Sequence, residues 1–263
     1  MISLSQIHVT FNPGTPLAKP ALLGLELTIP AGQFVTVIGS NGAGKSTLLN
    51  IISGDIQPQR GQIIIDQQPV TDWPAARRAK AVARVFQNPL AGSCAELTIE
   101  ENLVLALRRG QRRGLRPALN RSLRQRFRDR LASLGLGLES RLRDRMGLLS
   151  GGQRQAVSLV MATLAPTKIL LLDEHTAALD PKTADYILEL TQRLIAEQSL
   201  TALMVTHSMS QALALGNRLL MLHAGRIAFD VGGAARSRLQ VSDLLDKFAA
   251  QKQQVADDSL LLG

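Results

Sequence analysis

The stretch that decides the fold begins with an apolar run, Phe34-Val35-Thr36-Val37-Ile38, and continues as Gly39-Ser40-Asn41-Gly42-Ala43-Gly44-Lys45-Ser46-Thr47. An apolar run that ends in glycine predicts a buried strand. The nine residues after it match the pattern G-x-x-x-x-G-K-[ST], which requires a strand before it and a helix after it. A helix is predicted over Ser46–Ile52, so the context is complete and a chance glycine-rich turn explains the match poorly.

The residue types of this loop suit phosphate binding. Glycines let backbone N–H groups turn inward, and the start of the next helix adds a partial positive charge. We expect Lys45 to reach the β- and γ-phosphates of a nucleotide and the Ser46 hydroxyl to bind Mg²⁺. The candidate nucleotide-binding residues here are Gly39, Ser40, Asn41, Gly42, Ala43, Gly44, Lys45, Ser46 and Thr47.

A second strand ends in two acidic residues. In Ile169-Leu170-Leu171-Leu172-Asp173-Glu174, Asp173 is a candidate ligand for Mg²⁺, and Glu174 is a candidate base that polarises the attacking water. A solvated acidic strand end is the alternative for an isolated pair of this kind. The phosphate loop earlier in the chain favours the catalytic interpretation.

A second helix start also suits anion binding. Leu149-Ser150-Gly151-Gly152-Gln153 places Ser150 at an N-cap and leaves the N–H groups of two glycines without a side chain above them. One nucleotide needs only one such cradle. A symmetric head-to-tail dimer, in which each segment binds the nucleotide of its partner, gives the second helix start a role.

The remaining pattern predicts an α/β core that is interrupted by helices. Residues 1–90 are rich in strand signals, residues 98–165 in helix formers, and strands and helices alternate again from Ile169. The predicted strands are Leu25–Ile29, Gln62–Ile65, Arg84–Phe86, Ile169–Leu172, Thr201–Val205, Arg218–Leu222 and Arg226–Phe229, the last two as a hairpin. The predicted later helices are Pro181–Ala196 and Val241–Ala250.

Composition narrows the function classes. The 263 residues include one cysteine, Cys94, which excludes a disulfide framework. Neither a secretory signal nor an apolar run long enough for a membrane span is expected. The net charge of +9 comes from one segment, Arg108–Arg145, whose 13 arginines and 3 acids leave −1 for the rest of the chain. Such a segment suits an anionic membrane surface, nucleic acid or a merely solvated face.

The three motifs, together with Gln87 and His207, resemble those of the ATP-binding cassette (ABC) ATPase family over residues 2–230. The resemblance implies a phosphate-loop ATPase core of RecA-like mixed sheet with an antiparallel β subdomain, and an inserted α-helical subdomain. We expect one nucleotide-binding domain over residues 1–263. Within it we expect an ATP-binding core at 1–90 and 164–230, a helical signature subdomain at 91–163 and a helical tail at 231–263.

The resemblance also implies roles for single residues. Gln87 is expected to contact Mg²⁺ and the attacking water, and His207 to contact the γ-phosphate. Phe11 is expected to stack on adenine, and Asp180 to lie in a loop that crosses the dimer interface. In isolation, Gln87 and His207 read as surface residues and Phe11 as part of a hairpin core. Ser150, Gly151, Gly152 and Gln153 are expected to cap the γ-phosphate held by the partner.

Two positions depart from the family pattern. His175 replaces the usual proline after the catalytic glutamate, which adds a titratable group beside Glu174. Ala178 replaces a common serine, so one hydrogen bond across the dimer is missing. Neither change removes a catalytic group, and we expect ATP hydrolysis. Asn88–Ser93, Glu96–Asn102 and Asp173–Asp180 further resemble a branch of bacterial uptake systems described as tryptophan or tyrosine type.

These features predict the ATPase subunit of a transporter, with ATP and Mg²⁺ as cofactors. The expected partners are a second copy in the ATP-bound state, a separate membrane permease and an extracytoplasmic solute-binding protein. The expected location is the cytoplasmic face of the inner or plasma membrane. The alternatives are a soluble ABC ATPase of the iron–sulfur assembly type and a nucleic-acid-handling ABC ATPase. Phe127 is the only aromatic residue in the arginine-rich segment, which disfavours nucleic acid.

Overall fold

The computed structural model describes residues 1–111 and 118–250. Its strands are β1 (Ile2–Phe11), β2 (Lys19–Ile29), β3 (Phe34–Gly39), β4 (Arg60–Ile65), β5 (Gln68–Pro69), β6 (Val82–Val85), β7 (Ile169–Asp173), β8 (Thr201–Val205), β9 (Arg218–His223) and β10 (Arg226–Gly232). Its helices are α1 (Lys45–Ser53), α2 (Ala75–Arg78), α3 (Ile99–Leu107), α4 (Arg121–Ala132), α5 (Gly151–Leu164), α6 (Pro181–Glu197), α7 (Met209–Ala214) and α8 (Gly233–Arg236). Residues 241–250 are also helical.

Two sheets organise these elements. A six-stranded sheet has the order β10-β9-β3-β8-β7-β6, in which β9 through β6 are mutually parallel and β10 is antiparallel at one edge. A four-stranded antiparallel sheet has the order β2-β1-β4-β5. Because β3 lies between β8 and β9, the loops after β3, β7 and β8 open at the same sheet edge. The predicted mixed α/β class is confirmed.

The six-stranded sheet is covered on both faces, which explains its nearly continuous apolar strands. On one face, α1 and the antiparallel sheet share an apolar cluster with Val35, Val37 and Leu171. On the other face, the helices between residues 99 and 164 pack on Val85 and Leu170 in a single cluster. The inserted helices therefore share a core with the strands that carry the site.

Between β6 and β7, the described residues include α3, α4 and α5 joined by non-helical segments, and Phe127 of α4 has no exposed surface. Replacing such a residue by alanine costs about 3–5 kcal/mol of folding free energy. The ring is thus unavailable for stacking on a base. In the described part of the chain, no helix combines the length and hydrophobicity that a bilayer span requires.

Local differences from the sequence-based expectations have clear causes. The sequence pattern does not predict β1, because a bulge at Gln6, with φ +51°, interrupts its alternation and shifts its register with β2 between Leu4 and Ile7. The strand expected over Arg84–Phe86 is β6, which ends at Val85. The core expected to end at residue 230 extends to Gly232, since β10 pairs that far with β9.

Candidate nucleotide site

The loop between β3 and α1 has a backbone that only glycine tolerates at its last position. Gly44 has φ +103°, and a Cβ there would lie 2.6 Å from the carbonyl oxygen of Ala21 on β2. An L-residue at Gly44 would therefore combine a left-handed backbone with a backbone clash. The loop is held open around the start of α1 by this packing against β2.

The start of α1 is free to bind an anion. Gly44 provides no side-chain cap, and no acidic residue occupies the first turn. Ser46 is exposed in the first turn, and the first N–H groups of a helix have no partner within it, so a phosphate group would find donors and a favourable dipole there.

The Lys45 ammonium is buried beneath this loop. It donates hydrogen bonds to the carbonyl oxygens of Gly39 (2.8 Å) and Ser40 (3.0 Å). Burial lowers the pKa of Lys45 from its ordinary value, while the charges of Glu174 and Asp173 raise it. The side chain is thus a desolvated cation, held by groups that a phosphate oxygen can replace.

A cleft of about 360 Å³ lies in front of the loop. It brings together residues from four parts of the chain that the sequence analysis singled out: Phe11, Asn41, Gly42, Gly44, Lys45, Ser46, Thr47, Glu174 and His207. Phe11 is 39% exposed, so it is not the buried hairpin residue of the alternative interpretation. Lys19 also lines the cleft; no motif marks it, and only the pairing of β1 with β2 places it there.

Glu174 occupies a strained position at the cleft wall. Its φ of +47° is unfavourable for a residue with a Cβ, and such strain concentrates at functional sites. His207 Nε2 lies 2.7 Å from Glu174 Oε1. Since a carboxylate only accepts, Nε2 donates, and the imidazole fixes one oxygen of the glutamate.

The Asp173 side chain contacts β6 and, unlike that of Glu174, does not line the cleft. Its Oδ2 atom accepts a hydrogen bond from Arg84 Nη2 at 2.7 Å, and the carboxylate is largely buried. Nothing in the sequence analysis identified Arg84, because 89 residues separate the two side chains.

The start of α5 is capped by its own residues. Gln153 N donates to Ser150 Oγ at 3.2 Å, and Ser150 N donates to Gln153 Oε1 at the same distance. A Cβ on Gly152 would collide with the Thr183 side chain of α6, so glycine allows the two helices to approach. None of these residues lines the cleft of the same chain.

Gln87 and Asp180 also lie outside the cleft lining. Gln87 is exposed two residues after β6, in the loop that leads to the inserted helices. Asp180 is exposed and caps α6 by accepting a hydrogen bond from Thr183 N at 3.1 Å, and the hydrogen bonds of Thr183 lower the pKa of its carboxyl.

His175 corrects one expectation. Its side chain is buried, and Nε2 lies 3.0 Å from Thr191 Oγ1 in the middle of α6. Burial lowers its pKa to about 4, so the imidazole is neutral at physiological pH. The residue tethers the segment after Glu174 to α6 rather than adding a charge that titrates near neutrality.

The oxygen donors fit Mg²⁺. The Ser46 hydroxyl, the Asp173 carboxylate and the Gln87 amide oxygen are ligand types that this hard cation prefers. Among the described residues, no group of three or more His, Cys, Asp and Glu side chains could hold a metal by itself. A site that relies on one carboxylate, one hydroxyl and nucleotide phosphates agrees with both facts.

Comparison with known proteins identifies the family. The family described as ABC transporter matches residues 22–177, from β2 to the loop after Glu174. The chain belongs to the ABC transporter family. It is an ATP-binding and ATP-hydrolysing subunit of this class.

Individual relatives agree with this assignment. The tyrosine transport ATP-binding protein of Clostridioides difficile (strain R20291) is 46% identical over 250 residues, 94% of this chain and 98% of that protein. The thiamine import ATP-binding protein ThiQ of Vibrio vulnificus (strain YJ016) is 35% identical over 228 residues, 87% of this chain and 89% of that protein. These ABC relatives support the transporter interpretation and not its alternatives.

A solved structure has the same fold. The ATP-binding cassette MJ0796, a dimer in a post-hydrolysis state bound to ADP and phosphate, superposes with a TM-score of 0.76. It is 30% identical and covers 88% of this chain and 98% of its own.

Proposed function

We propose that this ABC ATPase powers the import of an aromatic amino acid through a separate membrane permease, and that it acts as an ATP-dependent homodimer. The similarity to a tyrosine transport ATP-binding protein supports the solute, and the similarity to a thiamine import ATP-binding protein supports the direction. The observation that carries the dimer is the separation of two anion-binding helix starts in one chain: the start of α1 opens into the cleft, and that of α5 does not.

Residues that line the cleft and residues beside it divide the chemistry. The N–H groups of α1 and the Lys45 ammonium bind the phosphates, and Phe11 stacks on the adenine. Glu174 accepts the proton of the attacking water, while His207 orients the glutamate and contacts the γ-phosphate. Ser46 in the cleft lining, with Asp173 and Gln87 outside it, would hold Mg²⁺. The bound ion would neutralise charge on the phosphates.

A second copy completes the site. Gly151 N and Gly152 N, with the Ser150 hydroxyl, supply donors to the γ-phosphate that the partner binds, and Gln153 fixes the cap. The exposed loop with Asp180 lies close to the same helix start, since a Cβ on Gly151 would come within 3.6 Å of the Leu179 side chain. A solved dimer of a 30% identical cassette supports this arrangement.

The permease has a candidate docking surface. A groove of about 830 Å³ runs between β6, the loop after Gln87 and α3. Apolar atoms dominate its lining, and Leu105 at its edge is 44% exposed. We assign it to a cytoplasmic segment of the permease, because Phe86 and Pro89 connect the groove to Gln87 and so to the nucleotide.

The sole cysteine tests the docking directly. Cys94 is exposed and lines this groove, so a cross-linker attached there reports the occupant without any engineered cysteine. In the assembled transporter, we expect a cross-link to the permease that is lost in Cys94→Ser. A cross-link only to a second copy of this chain would contradict the assignment.

Transport in proteoliposomes tests the proposed solute. The chain is reconstituted with the permease and solute-binding protein encoded beside it, and ATP-driven uptake of tyrosine, tryptophan and thiamine is compared. Uptake of tyrosine or tryptophan is expected. Uptake of thiamine alone would contradict the proposed solute while leaving the ATPase assignment intact.

We place the subunit on the cytoplasmic face of the membrane, with the arginine-rich segment toward anionic lipid. The structure narrows that segment: Arg109 donates to the Ala79 carbonyl oxygen and Arg124 pairs with Glu100 at 2.8 Å, so both have structural partners. Arg112, Arg113 and Arg116 lie outside the described residues. Of the exposed arginines that the structure describes in this segment, Arg143 and Arg145 lie beyond α4, and the four on α4 form the candidate surface: Arg121, Arg126, Arg128 and Arg130.

Flotation with anionic and neutral liposomes tests this surface. Each basic residue near an anionic leaflet gains about 1 kcal/mol, screened by salt. Binding to anionic vesicles that disappears when the four arginines of α4 become glutamine is expected. Sub-micromolar binding to duplex or single-stranded DNA without liposome binding would contradict it.

A further inference from the structure

Arg84 joins three parts of the chain that no motif connects. It lies on β6, opposite Leu171 of β7. Its Nη2 atom donates to Asp173 Oδ2 (2.7 Å), and its Nη1 atom donates to Asn50 Oδ1 of α1 (2.6 Å) and to Asp55 Oδ2 (3.2 Å). The guanidinium thus bridges the end of β7 and the end of the phosphate-loop helix.

We propose that Arg84 is a positioning residue that fixes the Asp173 carboxylate relative to α1, and thereby sets how tightly the site holds Mg²⁺. The inference rests on the proposed role of Asp173 and Ser46 as metal ligands. Ser46 lies in the first turn of α1, and Asn50 lies one turn later on the same rigid helix. A clamp between Asn50 and Asp173 therefore fixes the two ligands with respect to each other.

The geometry restricts the carboxylate to one orientation. Oδ2 is occupied by the guanidinium, so Oδ1 is the atom that remains for a metal or its water. The Arg84 side chain is 12% exposed and that of Asp173 15%, so water cannot readily replace the missing partner if either is removed. Partners that orient metal-binding carboxylates in this way typically change metal affinity by about 10–100-fold when mutated.

Charge repulsion between the guanidinium and the metal acts in the opposite direction. Asp55 offsets it, because its Oδ2 lies 3.2 Å from Arg84 Nη1 and also accepts a hydrogen bond from Ser53 Oγ at 2.6 Å. The Arg84 charge is shared between two carboxylates, so we expect its orienting effect on Asp173 to outweigh its repulsion of the metal. Removal of the Arg84 side chain should therefore weaken Mg²⁺ binding.

The experiment measures the binding of a fluorescent ATP analogue to the full chain in EDTA and in Mg²⁺. The dissociation constant in EDTA divided by that in Mg²⁺ is the factor by which the metal strengthens nucleotide binding, and this ratio does not depend on hydrolysis. For Arg84→Met we expect this ratio to fall about tenfold, with the dissociation constant in EDTA within about twofold of the wild type, since the phosphate loop is intact. The matched control is Arg218→Met, because Arg218 is similarly buried and pairs with Asp230 at 2.6 Å outside the cleft.

Two more variants keep the result decisive. Asp173→Asn tests the metal site itself: an unchanged ratio there contradicts the proposed metal ligand rather than Arg84. Asn50→Ala removes one end of the clamp and leaves the Arg84–Asp173 pair. It should lower the ratio about threefold, which is less than the fall expected for Arg84→Met because the pair with Asp173 remains. If Arg84→Met does not fold, this variant tests the proposal in its place.

Three outcomes overturn the inference once Asp173→Asn has lowered the ratio. The first is an unchanged ratio in Arg84→Met and Asn50→Ala. The second is a rise in the ratio, which would show that Arg84 competes with the metal. The third is an equal loss of affinity in EDTA and in Mg²⁺, which would show a purely structural role.

Discussion

The starts of α1 and α5 differ in what already occupies their N–H groups. The α1 start has no side-chain cap, and a buried lysine lies beneath it. The α5 start carries a complete capping box made by Ser150 and Gln153, and Arg154 beside it donates to the Gly147 and Leu149 carbonyl oxygens. The first can bind a phosphate within its own chain. The second offers only two glycine N–H groups and one hydroxyl, which in the proposed dimer would meet a nucleotide that the partner holds.

Lys45→Ala should have the largest effect, because it removes the cation that binds phosphate beside the start of α1. No other cation in the loop replaces the ammonium at the phosphates, so hydrolysis should fall by at least about 10³-fold, and ATP binding should weaken. A phosphate-release assay and equilibrium ATP binding measure the two effects. The control is Lys168→Ala, an exposed lysine paired with Asp66. Hydrolysis within twofold of the wild type in Lys45→Ala would remove this residue from the site.

Glu174→Gln should separate binding from hydrolysis. The amide still orients water but cannot accept its proton, so the rate should fall about 10²–10³-fold while ATP stays bound. Unhydrolysed nucleotide at both α5 starts should hold two chains together. Size-exclusion chromatography in Mg-ATP should show a dimer for Glu174→Gln and mostly monomer for the wild type. A variant that is saturated with ATP yet monomeric would contradict the head-to-tail arrangement.

Ser150→Ala should weaken the contribution of the α5 start to dimerisation and leave phosphate binding at the α1 start unchanged. In the Glu174→Gln background, we expect about tenfold weaker dimerisation, the effect of one hydrogen bond to a charged group, with unchanged ATP binding by the monomer. Thr98→Ala is the matched control, because Thr98 and Glu101 form the same capping box at the start of α3. Analytical ultracentrifugation gives both dissociation constants. Equal losses in the two variants would mean that helix capping, not the interface, causes the effect.

His175→Asn tests how the buried histidine beside Glu174 makes the stability of the fold depend on pH. The folded-state pKa of about 4 lies below the ordinary value of 6.5, so the unfolded chain binds the proton first as pH falls. The contribution of His175 to stability is therefore complete above pH 6.5 and is lost between pH 6.5 and 4, by about 2 kcal/mol at pH 5.

Urea unfolding at pH 7.5 and 5, without nucleotide or metal, measures this loss. The wild type should lose more stability than His175→Asn on acidification. Thr191→Val keeps the imidazole while removing its hydrogen-bond partner, and should follow the wild type. Parallel pH profiles for wild type and His175→Asn would contradict the assignment of a buried, neutral histidine.

The phosphate loop, the strand that ends in Asp173 and the helix start at Ser150 could be predicted from the sequence because each depends on neighbouring residues. Loop turns need glycine, helix starts need capping oxygens, and buried strands need apolar runs, so a window of about ten residues suffices. The β9–β10 hairpin was predicted for the same reason, since the two residues between His223 and Arg226 determine its turn.

Only the tertiary structure decided which side chains meet. Arg84 reaches Asp173, and His207 reaches Glu174, because β3, β6, β7 and β8 share one sheet in an order that differs from the chain order. Burial of His175 against Thr191 depends likewise on how α6 packs over β7. Charge and protonation follow from these long-range contacts and from desolvation, neither of which a short stretch of sequence contains.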